Sequence, residues 1–331
     1  MKKRKKTDEQ IFSGILLTAI QKEIAAFNYY YKASQKSPTQ EAKSLLVQLA
    51  EEERKHRMIL LQELHTLKAL LPTKKGGKEF IKKEEVSYKI PDKLPFGRVQ
   101  SVEKLDLACV SLPTQLVGGD YFESFPIFEK RCQVLLMFDV FGHGLSATLV
   151  KAEARSVFEK FKESFIGLSS SPDLFRPSNL VTFMNQKLSD ICQKKAIFLG
   201  LFYSLLDPKT GEFSYVSAGH EPPLLVREKE KEVSLFDSDL LLGVDKNKVY
   251  SDKKIKLKSG DIFIIFTDGV AETFGTRGKN FKREDIVSIV RSHYNLDSSG
   301  IVRKIFDFIK RSLKNQTLTD EFSLAVLKTK F

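Results

Sequence analysis

No stretch of the 331 residues holds about 18 uninterrupted apolar residues, the least a membrane-spanning helix needs. A membrane protein is not expected. Only three cysteines occur, Cys109, Cys132 and Cys192, far apart, odd in number and outside any CxxC pair. That excludes a disulfide framework and points to free thiols in a reducing compartment. A chain of this length buries enough core to fold without disulfides or a structural metal. The net charge of +12 is not spread evenly; lysines gather at Lys2–Lys6 and between Lys74 and Lys93. With only Phe80 and Tyr88 among the lysines of the second stretch, both read as a solvated tail and linker, with no nucleic acid expected as partner. Lys2–Lys6 followed by Ile11–Ile20 mimics a secretory signal, but Asp8, Glu9 and Gln10 interrupt it and no small-residue cleavage site follows. The expected location is cytoplasmic.

Residues 8–71 lack glycine after Gly14 and hold one proline, Pro38. Such sparse punctuation reads as helix. Ser37-Pro38-Thr39-Gln40 has a serine N-cap, proline at the first helical position and glutamine three residues after the cap, so the region is predicted to be a helical hairpin. The second helix should end near Leu71, before Pro72 and Gly76-Gly77. From about Pro95 the pattern changes to short apolar runs at 134–138, 197–206, 213–217, 224–226, 262–267 and 322–327, with helical stretches at 146–165, 180–192, 283–293 and 298–313. The expectation is an α+β fold of antiparallel sheets with helices packed outside. The predicted divisions are a hairpin over 1–72, a basic linker over 73–94 and a second domain over 95–331.

Four aspartates lie at strand ends: Asp120, Asp139, Asp268 and Asp320. Any one of them alone reads as a turn residue. Together, with glycines beside them and no partner cysteines, they suit a hard divalent cation such as Mg²⁺ or Mn²⁺, which would also relieve their mutual repulsion.

Six segments in order, LVGGDYFESF, FDVFGHGLSATL, VSAGHEPPLL, LLLGV, SGDIFIIFTDGVAET and LTDEFSLAVL, make residues 93–331 resemble the bacterial PPM (type 2C) serine phosphatases of the stage II sporulation E and sigma-factor-regulator branch. The resemblance implies an αββα sandwich with two Mn²⁺ or Mg²⁺ ions, which removes phosphate from serine or threonine of a protein. It implies that Asp139 bridges the metals, that the Val140 carbonyl is a further ligand, that Asp268 and Asp320 hold one metal, and that Asp120 binds the other directly or through water. The substrate implied is a phosphorylated anti-sigma-factor antagonist. His143 either protonates the departing seryl oxygen or is a structural residue of a tight Gly-His-Gly turn. His220 is expected to be structural and away from the acids. The chain departs from the family at Glu123, where aspartate is frequent, and at Asp320-Glu321, where the family pairs two aspartates.

The hairpin carries a second pattern. Leu16, Ile20, Glu23, Phe27 and Tyr30 place Glu23 on the apolar stripe of the first helix; Leu46, Leu49, Glu53, His56 and Leu60 do the same for Glu53 and His56. Glu23 with Glu53-x-x-His56 resembles half of a ferritin-like, rubrerythrin-type di-iron site. A full iron site then needs a second copy, so a homodimer through the hairpin is expected; a plain dimerisation module is the alternative. Either way the hairpin is expected to regulate the phosphatase domain. The competing functions are a docking scaffold without catalysis and an iron-binding oxidase with an appended domain.

Overall fold

The computed structural model describes residues 8–40, 42–47, 49–50, 53–54, 57, 60, 99, 101–112, 119–128, 131–141, 144–164, 175–228, 230, 233–234, 237–269, 283–313 and 321–331. His56, Gly142, His143, Asp320, the expected helix end near Leu71 and the basic linker lie outside the described residues.

Two five-stranded antiparallel sheets lie face to face. One has the order β1 (Leu105–Leu112), β10 (Phe322–Thr329), β9 (Ile262–Phe266), β6 (Leu224–Val226) and β7 (Val233–Ser234). The other runs β2 (Tyr121–Ile127), β3 (Cys132–Phe141), β4 (Phe198–Asp207), β5 (Glu212–Ala218) and β8 (Lys253–Lys256). Alternation along the strands sends Met137, Phe202 and Phe213 of the second sheet against Cys109, Phe263 and Ala325 of the first. Their opposite faces are covered by helices. On the first sheet, Ile264 and Val326 pack with Ile286 of α4 (Arg283–Ser292) and Ile305 of α5 (Ser298–Leu313). On the second, Phe138 and Leu201 pack with Phe158 of α2 (Gly144–Ser164) and Leu188 of α3 (Pro177–Lys195). The result is the αββα sandwich expected from the sequence.

The N-terminal α1 (Asp8–Lys36) is a helix of 29 residues, followed by a second helical stretch within 40–60. Its start differs from the expectation: Thr39 Oγ1, not Ser37, accepts the N–H of Ala42 at 3.2 Å. Thr39 reaches the third N–H of the helix as a cap must, whereas the Ser37 hydroxyl donates to the Thr39 carbonyl at 3.4 Å. The buried stripe of α1 is also rotated. Leu16, Ile20, Ile24, Phe27 and Tyr31 are buried, while Glu23 and Tyr30 are only half-buried. Following the i+4 ridge through Ile24 removes aliphatic surface from water and spares a carboxylate the cost of burial.

This stripe has a partner within the same chain. Leu16, Ile20 and Ile24 share one apolar cluster with Phe138 and Val140 of β3, and Leu60 packs against it. Two polar contacts add to the docking: Asn28 Nδ2 donates to the Ser238 carbonyl at 3.1 Å, and Lys32 pairs with Asp237. The hairpin therefore lies on the phosphatase-like domain over the end of β3.

Candidate active site

The apolar run of β3 continues through its aspartate. Asp139 was expected to close the strand, but β3 extends to Phe141, and Asp139 pairs in register with Gly200 of β4. Glycine is required there: a Cβ on Gly200 would lie 2.9 Å from the Phe141 ring and 3.0 Å from the Gly219 carbonyl. The strand thus carries its carboxylate to the sheet's end while staying hydrogen-bonded. Gly119, just before β2, serves the same region, since a Cβ there would sit 3.2 Å from the Val140 carbonyl and 3.3 Å from Asp139 Oδ1. The backbone leading into Asp120 therefore lies directly against two of the expected oxygen ligands.

Asp120 is buried and hydrogen-bonded to Asp139. Burial pushes its pKa up, against hydrogen bonds from Ser323 and Thr267 that favour the anion. Thr267 Oγ1 donates to Asp120 Oδ2 at 2.7 Å. Two carboxylates in hydrogen-bond contact need a proton or a cation between them, and the donors they offer are oxygens. That donor set fits Mn²⁺ or Mg²⁺. Asp268, buried at the end of β9, lines one cleft together with Asp139, Thr267, His220, Glu221 and Arg57. Among the described residues no group of three or more His, Cys, Asp or Glu is arranged to hold a metal. Asp320, the fourth expected ligand, and His143 lie outside those residues.

The two departures from the family pattern have different fates. Glu123 accepts hydrogen bonds from Tyr121 Oη at 2.5 Å and Lys162 Nζ at 2.7 Å, so it is held by α2. Glu321 lies beside the acids. Its Oε2 accepts the Asp120 N–H at 2.8 Å, and its pKa is raised by burial and by the neighbouring Asp120. It positions the loop that presents Asp120.

His220 corrects the sequence reading. It is buried as expected of a structural residue, yet it lies in the cleft with Asp139 and Asp268, not away from the acids. The register of β5 explains this: Ala218 ends the strand and Gly219, at φ 69°, bends the chain toward the end of β4. The Glu221 carbonyl lies 2.7 Å from His220 Nδ1 and can only accept, so the proton sits on Nδ1. Burial lowers the pKa to about 4, leaving a neutral ring.

Beside it, Glu221 accepts from Arg283 Nη2 at 2.6 Å. Burial alone would raise the Glu221 pKa, but Arg283, Arg54 and Arg57 hold it at about 2. Arg57 is the unexpected member, a residue of the hairpin that is 6% exposed and reaches into the cleft. The sequence did carry its signal, because Arg57 lies four residues after Glu53 and three before Leu60 on the same helical stripe. Thr267, Glu221 and Arg283 gave no such signal. They become neighbours of the acids only when the two sheets close.

With this geometry in place, the family pattern of stage II sporulation protein E (SpoIIE) matches residues 129–330. The chain belongs to the SpoIIE family. The rubrerythrin pattern matches residues 14–92, across the hairpin and the linker. Among individual proteins, this SpoIIE-family chain is 26% identical over 262 residues to the phosphoserine phosphatase RsbU of Bacillus subtilis, covering 78% of this chain and 73% of that one. It is 22% identical to protein IcfG of Synechocystis over 64% of this chain, spanning only 35% of IcfG. Two solved structures share the fold: the RsbU and RsbW domains of Rv1364c from Mycobacterium tuberculosis and the SiaA-PP2C domain of Pseudomonas aeruginosa. The first has a TM-score of 0.55 and 21% identity and covers 70% of this chain and 62% of that one. For the second the values are 0.55, 16%, 68% and 85%.

Proposed function

We propose that this chain is a metal-dependent protein serine/threonine phosphatase of sigma-factor regulation. The observation that carries the reading is that Asp139, hydrogen-bonded to buried Asp120, lines one cleft with Asp268. The family match and the likeness to a phosphoserine phosphatase support it.

Asp139, the Val140 carbonyl, Asp268 and Asp320 are the proposed ligands, with Asp120 acting directly or through water. Mn²⁺ or Mg²⁺ ions bound there would supply Lewis acidity and a water acidic enough to attack phosphorus in line. The chain's own residues do the rest. Thr267 and Glu321 hold Asp120 in place. Neutral His220 turns its unprotonated Nε2, which has no hydrogen-bond partner among the described residues, into the buried wall of the cleft. His143 remains the proposed proton donor to the departing seryl oxygen.

The proposed substrate is a phosphorylated anti-sigma-factor antagonist, and the proposed setting is the cytoplasm. Among the described residues no helix is long and apolar enough to cross a membrane. The hairpin is the proposed regulator. Glu23, Glu53 and His56 remain candidates for half of a di-iron site completed by a second copy. Because the main stripe of α1 already faces its own chain, such a dimer would use other surface; Tyr29 of α1 and Leu45 of the second helical stretch are exposed. Iron analysis and sedimentation of the purified protein test this: iron with a dimer supports it, and an iron-free monomer contradicts it. The enzyme itself is tested by release of phosphate from a phosphoserine protein, which should require Mn²⁺ or Mg²⁺.

A further inference from the structure

We propose that Arg57, delivered into the cleft by the N-terminal hairpin, binds the phosphoryl group of the substrate. The proposal rests on the phosphatase reading above and adds a substrate contact from outside the catalytic domain.

Three observations carry it. First, the Arg57 side chain is buried, and its Nε has no hydrogen-bond partner among the described residues. An unpaired buried guanidinium donor is costly, and the cost is relieved when an anion arrives. Second, the nearby carboxylates are engaged in part. Glu221 Oε1 is taken by Arg283 and its buried Oε2 has no hydrogen-bond partner among the described residues, while Asp139 and Asp268 are the groups assigned to metal ions. Once those two hold divalent cations they offer Arg57 no net negative charge. Arg283 contacts Glu221, Arg57 lines the same cleft, and Arg54 adds its charge, so positive charge is left beside the acids where a phosphate dianion would sit. Third, Arg57 is held by a docked element. Leu60, on the next turn, packs on the same core as Phe138, and Asn28 and Lys32 fasten α1 to residues 237–238. A planar fork of donors on a fixed helix matches two phosphate oxygens.

The consequence is a coupling between hairpin and chemistry. Any movement that lifts the hairpin withdraws a substrate contact, so a signal received there changes affinity for the phosphorylated group without touching the metal ligands.

The test uses the full chain loaded with Mn²⁺ and inorganic phosphate as probe. Phosphate binding is measured by calorimetry and, separately, as competitive inhibition of aryl phosphate hydrolysis. Arg57→Met keeps much of the side-chain volume, and Arg57→Lys keeps the charge without the fork. The Met variant should weaken phosphate binding and raise KM by roughly tenfold to a hundredfold, the equivalent of one charge-assisted hydrogen bond, with Lys intermediate. Phosphate affinity unchanged in Arg57→Met overturns the proposal. So does a rise in kcat/KM, which would make Arg57 a plug. If the Met variant does not fold, the Lys variant decides, and affinity within about twofold of the native chain overturns the proposal. Arg57-dependent phosphate binding in a protein without turnover would keep the site and sink the phosphatase reading; turnover with Arg57-independent binding would do the reverse.

Discussion

The hydroxyl of Thr267 donates to Asp120 Oδ2 at 2.7 Å and accepts the Ser323 N–H at 3.1 Å, so a side chain at the end of β9 fixes a carboxylate that enters beside the other sheet. Thr267→Val removes both bonds at nearly constant shape and leaves the Ser323 N–H without its acceptor. Half-saturation by Mn²⁺ should rise about tenfold, consistent with loss of a hydrogen bond to a charged group. Thr267→Ser should stay near the native value. Titrating Mn²⁺ against aryl phosphate hydrolysis checks this, and equal metal dependence in all three proteins would show that Asp120 needs no such support.

The buried Arg283–Glu221 pair supports the wall of the cleft. Replacing Arg283 by Met leaves the Glu221 carboxylate buried at 3% side-chain exposure with its bonded partner gone. The expected loss is about 3–5 kcal/mol. Adding Glu221→Gln should recover part of it, since the carboxylate left without Arg283 is then neutralised, while Arg57 stays buried beside it. Urea unfolding of the two single variants and the double variant measures the coupling; additive losses would mean that the pair does not act as a unit.

Acid stability follows from two buried groups. His220 has its folded pKa lowered from 6.5 to about 4, so the unfolded chain binds more protons between these values and stability falls as pH drops through that window. The full effect is on the order of 3 kcal/mol. Glu221, lowered from 4.5 to about 2, stabilises the fold above pH 4.5, and that contribution is lost as pH falls toward 2. Unfolding free energy measured from pH 7 to 4 should therefore decline, and His220→Asn should flatten the decline. An unchanged slope in the variant would place the effect elsewhere.

Among the described residues, the six strands legible in the sequence are the interior ones, and the four missed are the edges, β1 and β7 of one sheet and β2 and β8 of the other. Interior strands are paired on both sides and covered on both faces, so β4 and β9 read as apolar runs. Edges carry what interiors cannot. Pro126 is tolerated in β2, and Lys253, Lys254 and Lys256 make β8 look like a surface segment.

At the candidate site the acids were legible because their residue type and setting recur. Asp120, Asp139 and Asp268 fall in one region, although Asp139 is inside its strand where the sequence placed it at the end. The residues that hold the acids were not legible. Thr267 and Glu321 act through hydrogen bonds between segments about 150 and 200 positions apart, separations at which no local pattern operates. Arg57 differs: it sits on a legible stripe, but nothing in the hairpin's periodicity says that this stripe closes over its own catalytic domain and not over a second copy.

The most direct test of the central claim is hydrolysis of an aryl phosphate by the purified chain with and without Mn²⁺, beside Asp139→Asn. Turnover that requires Mn²⁺ and falls by about two orders of magnitude or more in the variant is the predicted result. Turnover that ignores Mn²⁺, or that survives in Asp139→Asn, would contradict a metal-dependent phosphatase centred on this carboxylate.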